Sequence, residues 1–218
     1  MSLQDELNGF KEGFRANAPA DVQAKMAAAT QALASSGMLD KVIGTGNTLP
    51  EFSLPNHIGD QVSLSGLLAN GPLIVTFYRG GWCPYCNLEL RAYHDAQPRI
   101  DAAGATLVAI TPELPDASLN TVEKNELGFH VLTDKNAAYA RQLGLVHTLP
   151  EEIIDIYDGF GIDVEKHNGT GQFDLPLPAT YVVGTNGVVF KSFVEVDYTK
   201  RMEPEIVIAA LESMRTAA

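Results

Sequence analysis

A chain of 218 residues with 45% hydrophobic content is long enough for one domain with a full core plus an extension. Fifteen basic residues against 27 acidic ones give a net charge of -12, which argues against nucleic acid or an anionic membrane surface as partner. No segment approaches the length of a membrane span. The opening Met1-Ser2-Leu3-Gln4-Asp5-Glu6 has neither the basic start nor the apolar run of a signal peptide, so a cytoplasmic location is expected.

Residues 1–40 read as a helical arm. Leu7, Phe10 and Phe14 recur at helical spacing, Asn17-Ala18-Pro19 breaks the run, and Val22, Met26, Ala29 and Leu33 share one side of a second helix ending at Gly37. The apolar stripe is read as packing on the arm's own domain, with a homodimer contact as the alternative. From residue 41 the pattern is that of an α/β domain. Phe52-Ser53-Leu54-Pro55 and Gln61-Val62-Ser63-Leu64 flank a turn at Gly59-Asp60, with His57 a surface residue in that turn. Ser65-Gly66-Leu67-Leu68 predicts a short helix.

Leu73-Ile74-Val75-Thr76-Phe77-Tyr78 has the composition of a buried strand, and Arg79-Gly80-Gly81 breaks it. Trp82-Cys83-Pro84-Tyr85-Cys86 follows, holding both cysteines of the chain, and then a good helical sequence. Pro84 suits the first helical position, which makes Cys83 the N-cap and Cys86 the third residue of the helix. The thiols then stand one turn apart, roughly 5–6 Å between β-carbons, within reach of a disulfide. The helix N-terminus lowers the pKa of a cysteine at its cap, roughly into the 3.5–7.5 range, and Arg79 could add a second positive charge. A structural zinc site needs about four ligands. Only His94 lies near enough in sequence to propose as a third, so a redox-active dithiol without metal or cofactor is the expectation.

Beyond this helix, expected to run to about Ala103 with a kink at Pro98, Thr106–Thr111 reads as the next buried strand of a βαβ unit. A helix over Ser118–Leu127, a short strand at His130–Leu132 and a helix over Ala137–Leu143 follow. Residues 145–177 look like an insert. Leu149-Pro150-Glu151-Glu152 predicts a helix start with Ile153, Ile154 and Tyr157 inside, and 159–171 predicts a loop of the lid or binding kind. Its acidic residues fit no calcium loop. Pro178 then leads into a strand, Asn186-Gly187 marks a hairpin turn, Val188–Val194 returns, and Pro204 opens a terminal helix. Ile206, Val207, Ala210, Leu211 and Met214 are placed on that helix's inner side.

Trp82-Cys83-Pro84-Tyr85-Cys86 resembles the active-site motif of thioredoxin-fold proteins, and Cys-Pro-Tyr-Cys that of glutaredoxins. The wider stretch is similar to the peroxiredoxins of the AhpC/TSA family, whose Phe-Tyr-Pro-x-x-x-Thr-x-x-Cys ends on the peroxidatic cysteine. Laid on Phe77-Tyr78, that pattern puts Cys86 on the peroxidatic position and Glu89-Leu90 on the Glu-Leu that follows. Phe52–Leu64 resembles the opening hairpin of the same fold. Arg79 stands in place of the motif's proline, Cys83 in place of its threonine, and the family's arginine would fall on Pro178. The resemblance covers Gly44 to Ala218. It implies an α/β, thioredoxin-like fold of the peroxiredoxin type, a central mixed sheet flanked by helices, with Pro178 as a cis-proline facing the dithiol. Arg79, Trp82, Pro84, Tyr85 and Pro178 are the expected supporting residues.

Three functions are expected to compete. The first is thiol–disulfide exchange cycling Cys83 and Cys86, with Cys83 attacking from the exposed end of the helix and its sulfur accepting from the N–H groups of Tyr85 and Cys86. The second is peroxide reduction, with Cys86 peroxidatic and Cys83 resolving. For want of the threonine and arginine it is expected to be far slower than a dedicated peroxiredoxin's. The third is a non-enzymatic redox-sensing module. The expected partners are a thioredoxin-like or glutathione-like thiol reductant and a disulfide or peroxide substrate.

Overall fold

The computed structural model describes residues 1–217. Two helices, α1 (Leu3–Asn17) and α2 (Ala20–Ala34), form the arm. Ser2 caps α1 in a capping box with Asp5, and Leu3 and Leu7 are buried against the domain. Phe10, expected inside, is 41% exposed; it lies edge-on to Tyr85 at 5.0 Å rather than in the core. In α2 the expected stripe of Val22, Met26, Ala29 and Leu33 is half-buried.

The domain begins with the hairpin of β1 (Ser53–Pro55) and β2 (Gln61–Ser63) and the short helix α3 (Leu64–Leu68). Then come β3 (Leu73–Phe77), α4 (Pro84–Ala102), β4 (Thr106–Thr111), α5 (Pro115–Asn125), β5 (His130–Thr133) and α6 (Ala138–Gln142). Helix α5 starts three residues before the expected Ser118, because Pro115 occupies its first turn. It ends where Glu126 turns left-handed at φ 52°, leaving Leu127 outside. Within residues 145–177 the helix expected from Leu149–Glu152 forms, whereas the stretch expected as loop, 159–171, carries a short helix of its own. Strands β6 (Val146–Thr148) and β7 (Asp174–Pro176) pair antiparallel at their base. Between them lie α7 (Glu151–Gly159) and a one-turn helix α8 (Val164–Asn168), which Asp163 caps. Strands β8 (Ala179–Val183) and β9 (Val189–Val194) and helix α9 (Pro204–Ala217) complete the chain.

The central sheet has the order β5-β4-β3-β8-β9, with β3 parallel to β4 and antiparallel to β8. Every residue of β3 is buried, as a central strand covered on both faces requires. One core cluster joins α1, α4 and α9 to one face, and another packs α3 and α6 on the other. On α9, Val207, Ala210 and Leu211 point inward as expected. Ile206 is 45% exposed, and Ile208 takes the inner place. Among the described residues no helix is long and apolar enough to cross a membrane.

Candidate active site

The site forms where β3, the central strand, ends and α4 begins, at the carboxyl edge of the sheet. The turn needs its glycines because two side chains crowd it. A β-carbon on Gly80 would lie 2.2 Å from Trp82 Nε1, and one on Gly81 2.0 Å from Thr121 Oγ1. Cys83 is the N-cap of α4 and Pro84 its first residue, so Cys86 follows one turn in.

Both thiols are free, and both are fully buried. This corrects the expectation of an exposed Cys83. Tyr85, only 6% exposed, and Tyr198 stack edge-on at 5.7 Å in the covering shell, with Phe10 of the arm against Tyr85. Nor does the Cys83 sulfur cap the helix; it accepts instead from Arg79 Nη2 at 3.1 Å.

Each sulfur has its own buried guanidinium. Arg79 reaches Cys83 and donates through Nη1 to the Tyr157 hydroxyl at 2.8 Å, a contact supplied by α7 of the insert. The rings of Tyr198 and Trp82 lie 4.2 and 5.1 Å from its Cζ. Arg201, from the loop between β9 and α9, donates through Nη2 to Cys86 Sγ at 3.3 Å and through Nε to Glu89 at 2.6 Å. Cys86 and Glu89 are three residues apart on α4 and so share the face that meets it. The Tyr198 and Lys200 carbonyls accept from Arg201 Nη1, and Tyr93 of α4 pins the loop through the Met202 carbonyl at 3.0 Å. Position 178 carries no arginine, and the guanidinium at Cys86 comes from another element.

Burial opposes ionisation of Cys83, yet a hydrogen bond from Cys86 and the charges of Arg79 and Arg201 hold its pKa well below the ordinary value. Cys86 moves the other way, pushed up by burial and by its bond to the Cys83 thiolate. The two opposite shifts favour charge on Cys83 and the proton on Cys86. Burial raises the Glu89 carboxyl to about 7 against the pull of Arg201.

Pro178 lines a cavity with Arg79 and Tyr198. Its peptide bond is trans, as are all others among the described residues, and this corrects the expected cis geometry. Leu177 N–H donates to Leu145 and the Pro178 carbonyl accepts from Glu195, so the chain stays extended on its way into β8. His94 accepts from the backbone N–H of Gly128 rather than facing the thiols. No group of three or more His, Cys, Asp or Glu side chains gathers as a metal site among the described residues.

His147, on β6 and in the wall of the Arg79 cavity, is pushed down to about 4, first by burial and then by the Arg79 charge. Its unfolded counterpart titrates near 6.5, so only the unfolded chain takes up this proton between those values. The contribution is full above pH 6.5 and is lost as pH falls through 4, worth up to roughly 3 kcal/mol. Glu89, raised from 4.5 to about 7, works in the opposite sense: its contribution is present below 4.5 and lost as pH rises through 7. The two offset each other in the intact protein, so a single variant is needed to see either. His147→Leu is expected to gain up to roughly 3 kcal/mol on the unmodified protein between about pH 7.5 and pH 4, read by urea unfolding. A constant difference across that range would contradict the assignment.

Missing from the expected site were Arg201, Tyr157 and Tyr198. Glu89, three residues after Cys86, is the one local hint that a cation must arrive there.

A family model described as the AhpC/TSA family matches residues 45–192. A putative peroxiredoxin bcp of Haemophilus influenzae is 31% identical over 103 residues, covering 47% of this chain and 66% of that protein. A chloroplastic peroxiredoxin Q of Sedum lineare is 28% identical over 160 residues, 73% of this chain and 71% of that one. Among solved structures, peroxidoxin BcpB from Mycobacterium tuberculosis superposes with a TM-score of 0.63 at 21% identity, covering 79% of this chain and 99% of that one. Peroxiredoxin Q of Xanthomonas campestris gives 0.57 at 20% identity, over 79% and 96%. These likenesses establish a thioredoxin-like fold of the peroxiredoxin type.

Proposed function

The chain belongs to the AhpC/TSA family, and on that premise we propose that it is a thiol-dependent peroxidase in which Cys86 attacks the peroxide and Cys83 resolves. The sequence alone places this reading second to thiol–disulfide exchange. The observation that carries it is the Arg201 guanidinium, locked by Glu89 and aimed at the Cys86 sulfur. A fixed donor there stabilises charge on the sulfur and on the departing oxygen. Complete burial of both sulfurs works against a bulky disulfide, which must reach its attacker in line, and favours a small oxidant.

The reaction balances with the residues present. The Cys83 thiolate takes the Cys86 proton, and the Cys86 thiolate attacks the nearer peroxide oxygen as the O–O bond breaks. The leaving alkoxide or hydroxide collects the proton from Cys83. This gives an alcohol or water and a sulfenic acid on Cys86. The renewed Cys83 thiolate then attacks the Cys86 sulfur, forming the disulfide and releasing hydroxide, which solvent protonates. A thioredoxin-like or glutathione-like thiol returns the two electrons. In this scheme Cys83 carries a proton where the family's motif has a threonine hydroxyl.

Thiol–disulfide exchange through Cys83 is the second reading, favoured by that residue's lowered pKa. The variants separate the two. With hydrogen peroxide, Cys83→Ser is expected to stop at a Cys86 sulfenic acid that dimedone traps, and Cys86→Ser to consume no more peroxide than a free thiol. A stable adduct on Cys83 in the Cys86→Ser protein, with none on Cys86 in the other, would reverse the roles.

A further inference from the structure

Two buried arginines face the dithiol, and only one has a carboxylate. Arg201 is paired with Glu89. Arg79 is 4% exposed, with no carboxylate within ion-pair distance among the described residues, and its Nε is buried without a hydrogen-bond partner. Its remaining contacts are the Tyr157 hydroxyl, the faces of Trp82 and Tyr198, and the Cys83 sulfur. The thiolate of Cys83 is therefore the counter-charge of Arg79 in the reduced protein. An unpaired buried charge is strongly destabilising.

Oxidation removes that counter-charge. The Cys83 thiolate and the Cys86 thiol become one S–S bond, two electrons passing to the peroxide and the Cys86 proton leaving, so both sulfurs become neutral. Arg79 then faces a cavity of about 400 Å³ between the arm and the cysteine turn. Phe10, Phe14, Trp82, Tyr85, Phe160 and Ile162 form the apolar part of its wall with their neighbours, and among the described residues Arg79 is the only charged side chain lining it. The volume lies within the range of small-molecule sites, and one fixed charge in an apolar wall is how such sites orient a ligand.

We propose that this cavity binds a small monocarboxylate with an apolar body, its carboxylate on Arg79, and that it does so in the disulfide state rather than the reduced one. The proposal rests on the dithiol–disulfide cycle proposed above. Thiolate and ligand carboxylate compete for one guanidinium, so the redox state of the dithiol selects whether the ligand is held. By reciprocity, a bound carboxylate shifts the dithiol–disulfide equilibrium toward the disulfide.

Trp82, the single tryptophan of the chain, lies in the cavity wall and over Arg79, and so reports on its occupancy. Octanoate is titrated into reduced protein, into protein oxidised with diamide, and into Cys83→Ser, with Trp82 fluorescence and calorimetry as readouts. Octanol serves as the uncharged control. The oxidised protein and Cys83→Ser are expected to bind octanoate at least about tenfold more tightly than the reduced protein. Octanol should bind the three forms alike, and adding Arg79→Met to Cys83→Ser should abolish the octanoate preference. Equal octanoate affinity in reduced protein and Cys83→Ser, no binding to either, or octanol binding as tight as octanoate would overturn the proposal. Cys83→Ser removes the thiolate without any redox step, so its result stands whatever oxidises the dithiol. Octanoate binding there, alongside a wild type inert to peroxide, would sink the peroxidase reading and leave the carboxylate site standing.

Discussion

Replacing Arg201 with methionine is expected to lower the rate constant for hydrogen peroxide by roughly 100- to 1000-fold, the usual cost of removing one fixed donor from a developing negative charge. The guanidinium is fully buried, so water cannot take its place at the Cys86 sulfur. The same change leaves Glu89 buried and unpaired, which costs roughly 3–5 kcal/mol when one partner of a buried pair is removed. Lost activity could then mean only a loosened fold, so a second variant is required. Glu89→Gln combined with Arg201→Met removes both charges and is expected to recover most of the stability while the peroxide rate stays low. Arg201→Lys keeps the charge but not the fork that reaches Glu89 and Cys86 together, so it should fall between. Stopped-flow peroxide consumption and urea unfolding read the two effects apart. An Arg201→Met protein within a few-fold of the unmodified rate would remove the ground for placing the peroxidatic sulfur at Cys86.

The arm offers the second large effect. We propose that residues 1–40 form a unit that covers this domain rather than a partner. Leu3 and Leu7 are fully buried in the same cluster as Cys86 and Leu90. The start of α1 is held by the Glu203 carboxylate, which accepts from the backbone N–H groups of Leu3 and Gln4. Deleting residues 1–40 should cost roughly 3–6 kcal/mol, two leucine side chains at about 1.5–3 kcal/mol each. Sedimentation should show the same concentration-dependent mass before and after. A dimer that becomes a monomer on deletion would make the arm an interface instead.

Much of the fold is legible in short stretches of the chain, because the signals there are local. An apolar β-branched run followed by Gly80-Gly81 and Pro84 gives β3, the turn and the start of α4, and so sets Cys83 at the cap and Cys86 one turn in. Asn186-Gly187 gives the β8–β9 turn, where Gly187 takes φ 77°. Periodicity alone identifies α1, α2 and α7, although it could not say which apolar residues stay exposed. Phe10 and Ile206 carry the right spacing but stay 41% and 45% exposed, Phe10 with only its contact to Tyr85.

What the tertiary structure decided is the environment of the two sulfurs. Arg201 lies 115 residues after Cys86, with no local pattern to mark it. It reaches the thiol because the central sheet returns the β9–α9 loop to the head of α4 and Tyr93 fastens it there. Tyr157 reaches Arg79 from an insert whose spacing predicted its helix but not what that helix would touch. The helix cap alone favours a thiolate and implies exposure. Packing by Tyr85, Tyr198 and the arm removed the exposure, and the two guanidiniums replaced solvent as the source of charge stabilisation. The sequence by itself thus determined where the two sulfurs stand, Cys83 at the cap and Cys86 one turn in, since strand, turn and helix start are set by neighbours along the chain. Which oxidant can reach them, and which arginine serves which sulfur, depended on contacts between residues far apart in it.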